Sequence, residues 1–229
     1  MADVLFDART TQTGAGVTSL TGDHVPVDTP TVVTVSVSMG VFADTVSTIT
    51  YGGTSMTLIG RIDRGVGNAL VMELWGLANP PPGTRSVVVT FTASVDNAGV
   101  VRQSYTGSAT ASAFGTIQTS SGTGTTTTTP AVTSAAGELV VDALTTPQDV
   151  GAPTVGAGQI NANTLTVNTA HWNSTSDEAG AASVTMSWTQ TSERFVHIAV
   201  PIKLPVATIN LWLQPISVPV LPKHEIIGY

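Results

Sequence analysis

Ser86-Val87-Val88-Val89-Thr90-Phe91-Thr92 and Ser183-Val184-Thr185-Met186-Ser187-Trp188-Thr189 decide the fold class. In the first, Val87, Val89 and Phe91 alternate with Val88, Thr90 and Thr92. In the second, Val184, Met186 and Trp188 alternate with Thr185, Ser187 and Thr189. A side-chain period of two belongs to a strand with one buried face, and the β-branched content suits a pleated surface. Working outward, short runs of this kind bounded by Gly, Pro, Asn and Asp recur along the chain, and helical periodicity is almost missing. The expectation is an all-β fold. Ile49-Thr50-Tyr51-Gly52-Gly53-Thr54-Ser55-Met56-Thr57 reads as a tight hairpin, because two glycines accept the positive φ that such turns demand. Asp96-Asn97-Ala98-Gly99 reads as another.

Aligned by strand order, the chain shows a faint internal repeat. Thr31 to Ser38 matches Glu138 to Leu144, Ser86 to Thr92 matches Ser183 to Thr189, and Val100 to Tyr105 matches Phe195 to Val200. Halves of about 1–107 and 131–204, each with about four antiparallel strands, predict a double-sheet jelly roll or β-sandwich spanning residues 1–204. The connection from Ser108 to Pro130 carries Ser120-Ser121-Gly122-Thr123-Gly124 and then Thr125 to Thr129, read as a turn followed by an ordered Thr strand. Residues 205–229 form a separate C-terminal arm.

Composition bounds the function classes. The 229 residues carry eight Lys and Arg against fifteen Asp and Glu, a net charge of −7, and only 10% charged residues. No basic stripe exists to neutralise phosphates, so nucleic acid is not an expected partner. Mean hydropathy is +0.26, yet uninterrupted apolar runs fall far short of the roughly 20 residues that cross a bilayer, so no membrane partner is expected either. Cysteine is absent, which removes disulfides, thiolate metal sites and thiol nucleophiles. Met1-Ala2-Asp3-Val4 lacks the basic leader and apolar core of a signal peptide, which predicts synthesis in the cytoplasm. An uncharged surface of Thr, Ser, Asn and Gly suits copies that pack against one another.

Residues able to do chemistry are dispersed. Gly53-Thr54-Ser55-Met56-Thr57 begins like a nucleophile elbow but lacks the closing glycine and sits in a hairpin. His24, His171, His197 and His224 have no short metal-ligand spacing. Asp23, His24 and Asp28 in one loop, or Asp177 and Glu178 in another, are either oxygen donors for Ca²⁺ or solvated turn carboxylates. His197 lies on the opposite parity to Val196, Ile198, Val200 and Ile202, and is expected to face outward or across an interface. No catalytic residue, metal or cofactor is therefore assigned. Trp188 shares parity with core residues. Trp75 lies on a strand apolar on both faces, which implies either burial under another layer or contact with a neighbour. Trp172, in an Asn-rich loop, is the candidate surface aromatic for a glycan. Asn173-Ser174-Thr175 has the form of a glycosylation sequon and is read as a turn.

Several phrases carry a family resemblance: Ile49-Thr50-Tyr51-Gly52-Gly53 with Met56-Thr57; Glu73-Leu74-Trp75-Gly76-Leu77-Ala78-Asn79-Pro80-Pro81-Pro82-Gly83-Thr84; Ala135-Ala136-Gly137-Glu138-Leu139-Val140-Val141-Asp142; Gly180 to Trp188; and Ile198-Ala199-Val200-Pro201-Ile202-Lys203. Together they resemble a jelly-roll module of tailed-phage virion proteins, of the capsid decoration or head-fibre type, also found in large bacterial surface proteins. The resemblance implies display, adhesion or sugar contact and brings no catalytic signature. The arm departs from that pattern. Ile209, Leu211 and Leu213 alternate with Asn210, Trp212 and Gln214; Ile216, Val218 and Val220 alternate with Ser217, Pro219 and Leu221, with a hinge at Pro215. Prolines restrict such segments to a sheet edge or a groove. The gain from burying its apolar side chains is similar to the cost of ordering its backbone, so one arm grips weakly and many arms on a lattice grip well.

The expectation is a non-enzymatic bacteriophage capsid decoration protein on the virion surface, a homotrimer or homodimer. It would bind the major capsid protein and neighbouring copies through Ile209, Leu211, Trp212, Leu213, Ile216, Val218, Val220, Leu221, Ile226, Ile227 and Tyr229. The alternatives are an arm folded back on its own body, and a carbohydrate-binding adhesin or receptor-binding fibre domain that contacts host-surface glycans through Trp172.

Overall fold

The computed structural model describes residues 3–40, 45–65 and 70–206. Alternation along the strands sorts their side chains into three antiparallel sheets. The first contains, in spatial order, β1 (Leu5–Gly14), β9 (Ala98–Thr106), β3 (Val32–Met39), β7 (Leu70–Ala78) and β6 (Thr57–Arg64). The second contains β2 (Val17–His24), β8 (Arg85–Val95), β4 (Val46–Tyr51) and β5 (Thr54–Ser55). The third contains β10 (Gln118–Thr128), β15 (Ser187–Ile202), β11 (Leu139–Pro147), β14 (His171–Ala179) and β13 (Ile160–Val167), with β12 (Thr154–Val155) on the start of β15.

The first sheet is the middle layer. Val33, Val35, Val37, Val71 and Trp75 face Val87, Val89, Phe91, Ile49 and Tyr51 of the second sheet. Leu70, Met72, Leu74 and Tyr105 face Val141, Ala143, Val196, Ile198 and Val200 of the third. Covering on both sides explains why β3 is buried along its whole length and why the strand carrying Trp75 is apolar on both faces. The sandwich class is as expected, but its layering differs. A half does not supply one sheet each; the first half closes a sandwich of its own before the second packs on its back.

Strand order repeats between the halves. The order β1-β9-β3-β7-β6 recurs as β10-β15-β11-β14-β13. Val32 pairs with Tyr105 and Ala78 as Leu139 pairs with Ile202 and Ala179. These ladders place Val100–Tyr105 against His197–Ile202, two residues beyond the match read from sequence. The arrangement β2-β8-β4 recurs in miniature as Thr126–Thr128, Ser187–Thr189 and Thr154–Val155. Contacts between the two large sheets also come in exchanged pairs: β1 on β13 with β10 on β6, and β9 on β14 with β15 on β7. This is the self-complementary packing of a twofold dimer, contained in one chain.

Local readings met three outcomes. Gly52 and Gly53 turn the β4–β5 hairpin at φ of 55° and 84°, as expected. Asp96–Gly99 is no hairpin, because β8 and β9 belong to different sheets and the segment is a corner between layers. Gly99 is small for another reason: a Cβ there would collide with Val167 of the third sheet. The predicted turn at Ser120–Gly124 lies inside β10, and the irregularity is a bulge between Gly124 and Thr126.

Candidate functional site

Three histidines are buried among the described residues, each beside a hydroxyl: His24 beside Ser104 and Thr10, His171 beside Ser38 at 3.0 Å, and His197 beside Thr127 at 3.5 Å. The second ring nitrogen of His197 also meets a carboxylate, but no part of that set reaches solvent. His24 Nε2 lies 2.9 Å from Ser104 Oγ and its Nδ1 lies 3.1 Å from Thr10 Oγ1. Asp7 accepts from Ser104 at 2.6 Å rather than from the imidazole, so no carboxylate orients the histidine as a base. Burial, helped by the Arg102 charge, lowers the His24 pKa to about 4. Asp28 is drawn to Asp7 through its backbone N–H at 2.8 Å, so Asp23, His24 and Asp28 do not converge. No group of three or more metal-ligating side chains occurs among the described residues.

His197 corrects its expectation. Its parity is opposite to that of Val196 and Ile198, but the face it joins is covered by Trp188 and Val155, and it is fully buried. Asp142 Oδ2 sits 2.8 Å from His197 Nε2 and accepts from Trp188 Nε1 at 2.8 Å. Asp142 Oδ1 accepts from Ser176 N at 2.7 Å and from Ser176 Oγ at 2.8 Å. The ladders place Asp142 and His197 at the positions held by Val35 and Val100 in the first half. A polar network thus replaces apolar packing in the second half, whose outer layer is reduced to short pieces.

A further carboxylate lies at the seam between halves. Asp177 accepts from Tyr105 Oη at 3.1 Å and from Asn161 Nδ2 at 2.9 Å, while Arg9 donates to the Asn161 carbonyl. Burial raises the Asp177 pKa to about 7. Glu178, its sequence neighbour, points to the other face of β14, so the two carboxylates do not form a site together.

Trp172 is on a strand, β14, rather than in a loop, because the Asn-rich segment pairs with both β11 and β13. It is half-buried, and its indole N–H is enclosed without a partner among the described residues. The edge that would donate to a sugar hydroxyl is therefore turned inward.

An accessible apolar feature among the described residues lies at the root of the arm. After β9 the chain crosses to the end of β15. Ala109 N donates to Lys203 O and Gly115 N to Pro201 O, at 2.8 and 2.9 Å. Phe114, bridged to Ile202, lays its ring on Gly76 of β7. Open hollows of about 600 and 490 Å³ flank that ring. The first is lined by Ala109, Phe114, Leu204 and Val206; the second by Ile59, Leu77, Ala78 and Phe114. The body ends beside them, with Val206 92% exposed. Ile209, Leu211, Trp212, Leu213, Ile216, Val218, Val220, Leu221, Ile226, Ile227 and Tyr229 lie outside the described residues. Sequence reading missed Phe114; the available signal was Gly76, a glycine in an otherwise bulky apolar strand.

No protein-family model, curated protein or solved structure matches this chain. The site is therefore read from its own geometry. Gly76→Val should unseat Phe114, since even a Cβ at that position would collide with the ring and with Ile59. The expected loss is about 1–3 kcal/mol, as for other overpacked interiors, measured by urea unfolding; an unchanged midpoint would show that the ring is not seated there.

Proposed function

We propose that this chain is a structural, non-enzymatic virion protein, a capsid decoration protein of a tailed phage that holds the outer shell through residues 205–229. The observation that carries the reading is the exit of the chain at Leu204–Val206. β15 is already paired on both sides, the crossing segment Ala109–Gly115 is bonded to its end, and the chain then leaves exposed beside an apolar hollow. A segment with so many apolar residues needs a surface on which to bury them, and the hydroxyl-rich, weakly charged body is suited to close packing with copies and with the major capsid protein. The family resemblance of residues 49–57, 73–84 and 135–142 points the same way.

Truncation after Val206 tests it. The shortened chain should unfold at the same urea concentration as the full chain and lose co-sedimentation with capsids. Undiminished binding would overturn the reading. So would an unchanged shell affinity combined with specific glycan-array binding that disappears in Trp172→Ala.

A further inference from the structure

Gln159, Ser176 and Asp142 form a reactive-looking set inside the second half. The turn Gly156-Ala157-Gly158, with Gly158 at φ of 88°, brings Gln159 inward just before β13. Gln159 is 9% exposed and Ser176 0%. Gln159 Nε2 donates to Ser176 Oγ at 2.5 Å, which holds the carboxamide beside that oxygen, and a turn of the amide plane would present its carbon to the hydroxyl. Ser176 Oγ donates in turn to Asp142 Oδ1 at 2.8 Å. The Gln159 carbonyl oxygen accepts from the Ser187 backbone N–H at 2.7 Å. Gly156 keeps that contact open, since a Cβ there would collide with Ser187 Oγ.

These are the parts of acyl transfer: a hydroxyl held on a carboxylate base, a carboxamide with its carbonyl polarised by a fixed donor, and burial of both reacting groups. We propose that Ser176 and Gln159 join in a self-catalysed intramolecular ester. Ser176 Oγ gives its proton to Asp142 and attacks Gln159 Cδ; the tetrahedral oxyanion rests on the Ser187 N–H. The C–N bond then breaks, the proton on Asp142 passes to the departing nitrogen, and ammonia leaves. Nothing is oxidised or reduced, and no co-reactant is consumed. Proximity supplies most of the acceleration, because both groups are fixed in one core. The product is a covalent staple between the β12–β13 turn and β14. It falls in the half whose outer layer is smallest, in a chain without cysteine, and small cores depend on such staples.

Intact-mass measurement of the folded full chain decides the matter. The wild type should be lighter than its own sequence by one ammonia, and Ser176→Ala and Gln159→Glu should each have full mass. Chymotryptic cleavage between the two residues, at Leu165 or Trp172, should leave the pieces joined, and hydroxylamine should part them. A wild-type chain of full mass overturns the proposal. Loss of ammonia that persists in Ser176→Ala, or cleaved pieces that separate without hydroxylamine, overturns it as well, and the digest decides even where the variants do not fold.

Discussion

At pH 8, Asp177→Asn will unfold at a higher urea concentration than the wild type, whereas at pH 4 the two will be close. The side chain is fully buried where the halves meet, and desolvation raises its pKa from 3.8 to about 7. A raised carboxyl pKa means that the folded state favours the neutral acid. Its contribution to stability is complete below the unfolded pKa near 4 and is lost as pH rises through about 7. Three pH units correspond to about 4 kcal/mol. The groups facing it are Tyr105 and Asn161, which donate to it, Arg9, whose charge opposes the shift, and Asp142, whose charge adds to it. His24 and His171 act with the opposite sign. Both are lowered from 6.5 to about 4 by burial, so each favours the folded state above pH 6.5 and withdraws that support as pH falls through 4. Between about pH 4 and 6.5 two histidines add stability as pH rises while one carboxyl removes it, so the wild-type curve should climb to a maximum near about pH 6.5–7 and level off. The asparagine variant, freed of the opposing carboxyl, should climb about twice as steeply over that window. Equal slopes between about pH 4 and 6.5 in both proteins would refute the assignment.

Asp142→Ala should be the costliest single truncation in the second half, on the order of 4 kcal/mol. Four donors, Ser176 N, Ser176 Oγ, Trp188 Nε1 and His197 Nε2, converge on this buried carboxylate, and all but the Ser176 hydroxyl remain once the ester has formed. Removing it leaves several buried donors without an acceptor, each costing about 1–3 kcal/mol. Removing one donor is a smaller change: Trp188→Phe keeps the ring in its core and leaves Asp142 its other partners, for a cost of about 1 kcal/mol. Denaturant unfolding of both variants tests the asymmetry, and equal losses would mean that the network is not centred on Asp142.

Sequence period was enough to identify the strands, their parity and the hairpin at Gly52-Gly53, because those features depend on neighbours within a few residues. Layering was not legible at that range. Asp96–Gly99 has turn composition whether it joins partners in one sheet or passes between two sheets, and only long-range pairing distinguishes these. His197 shows the same limit: alternation gave its face correctly, but not that Trp188 covers that face. The Asp142 network was invisible because its members are spread from Asp142 to His197 and meet only when β11, β14 and β15 align. The candidate site was half legible. The arm root could be read from proline and apolar composition, whereas the hollow around Phe114 depends on a ring lying on a glycine in another strand.

The exchanged contacts between the two large sheets have one further consequence. In a true pair of identical subunits every substitution occurs twice, and a charged group introduced into one core must be tolerated in both. Joining the two units in one chain removes that constraint. Val35 and Val100 can remain valines while their counterparts become Asp142 and His197, so each unit can place its buried polar groups independently, His24, Glu73 and Arg102 in one and Asp142 and His197 in the other. That freedom is inherited from the covalent connection, not from any difference in strand plan.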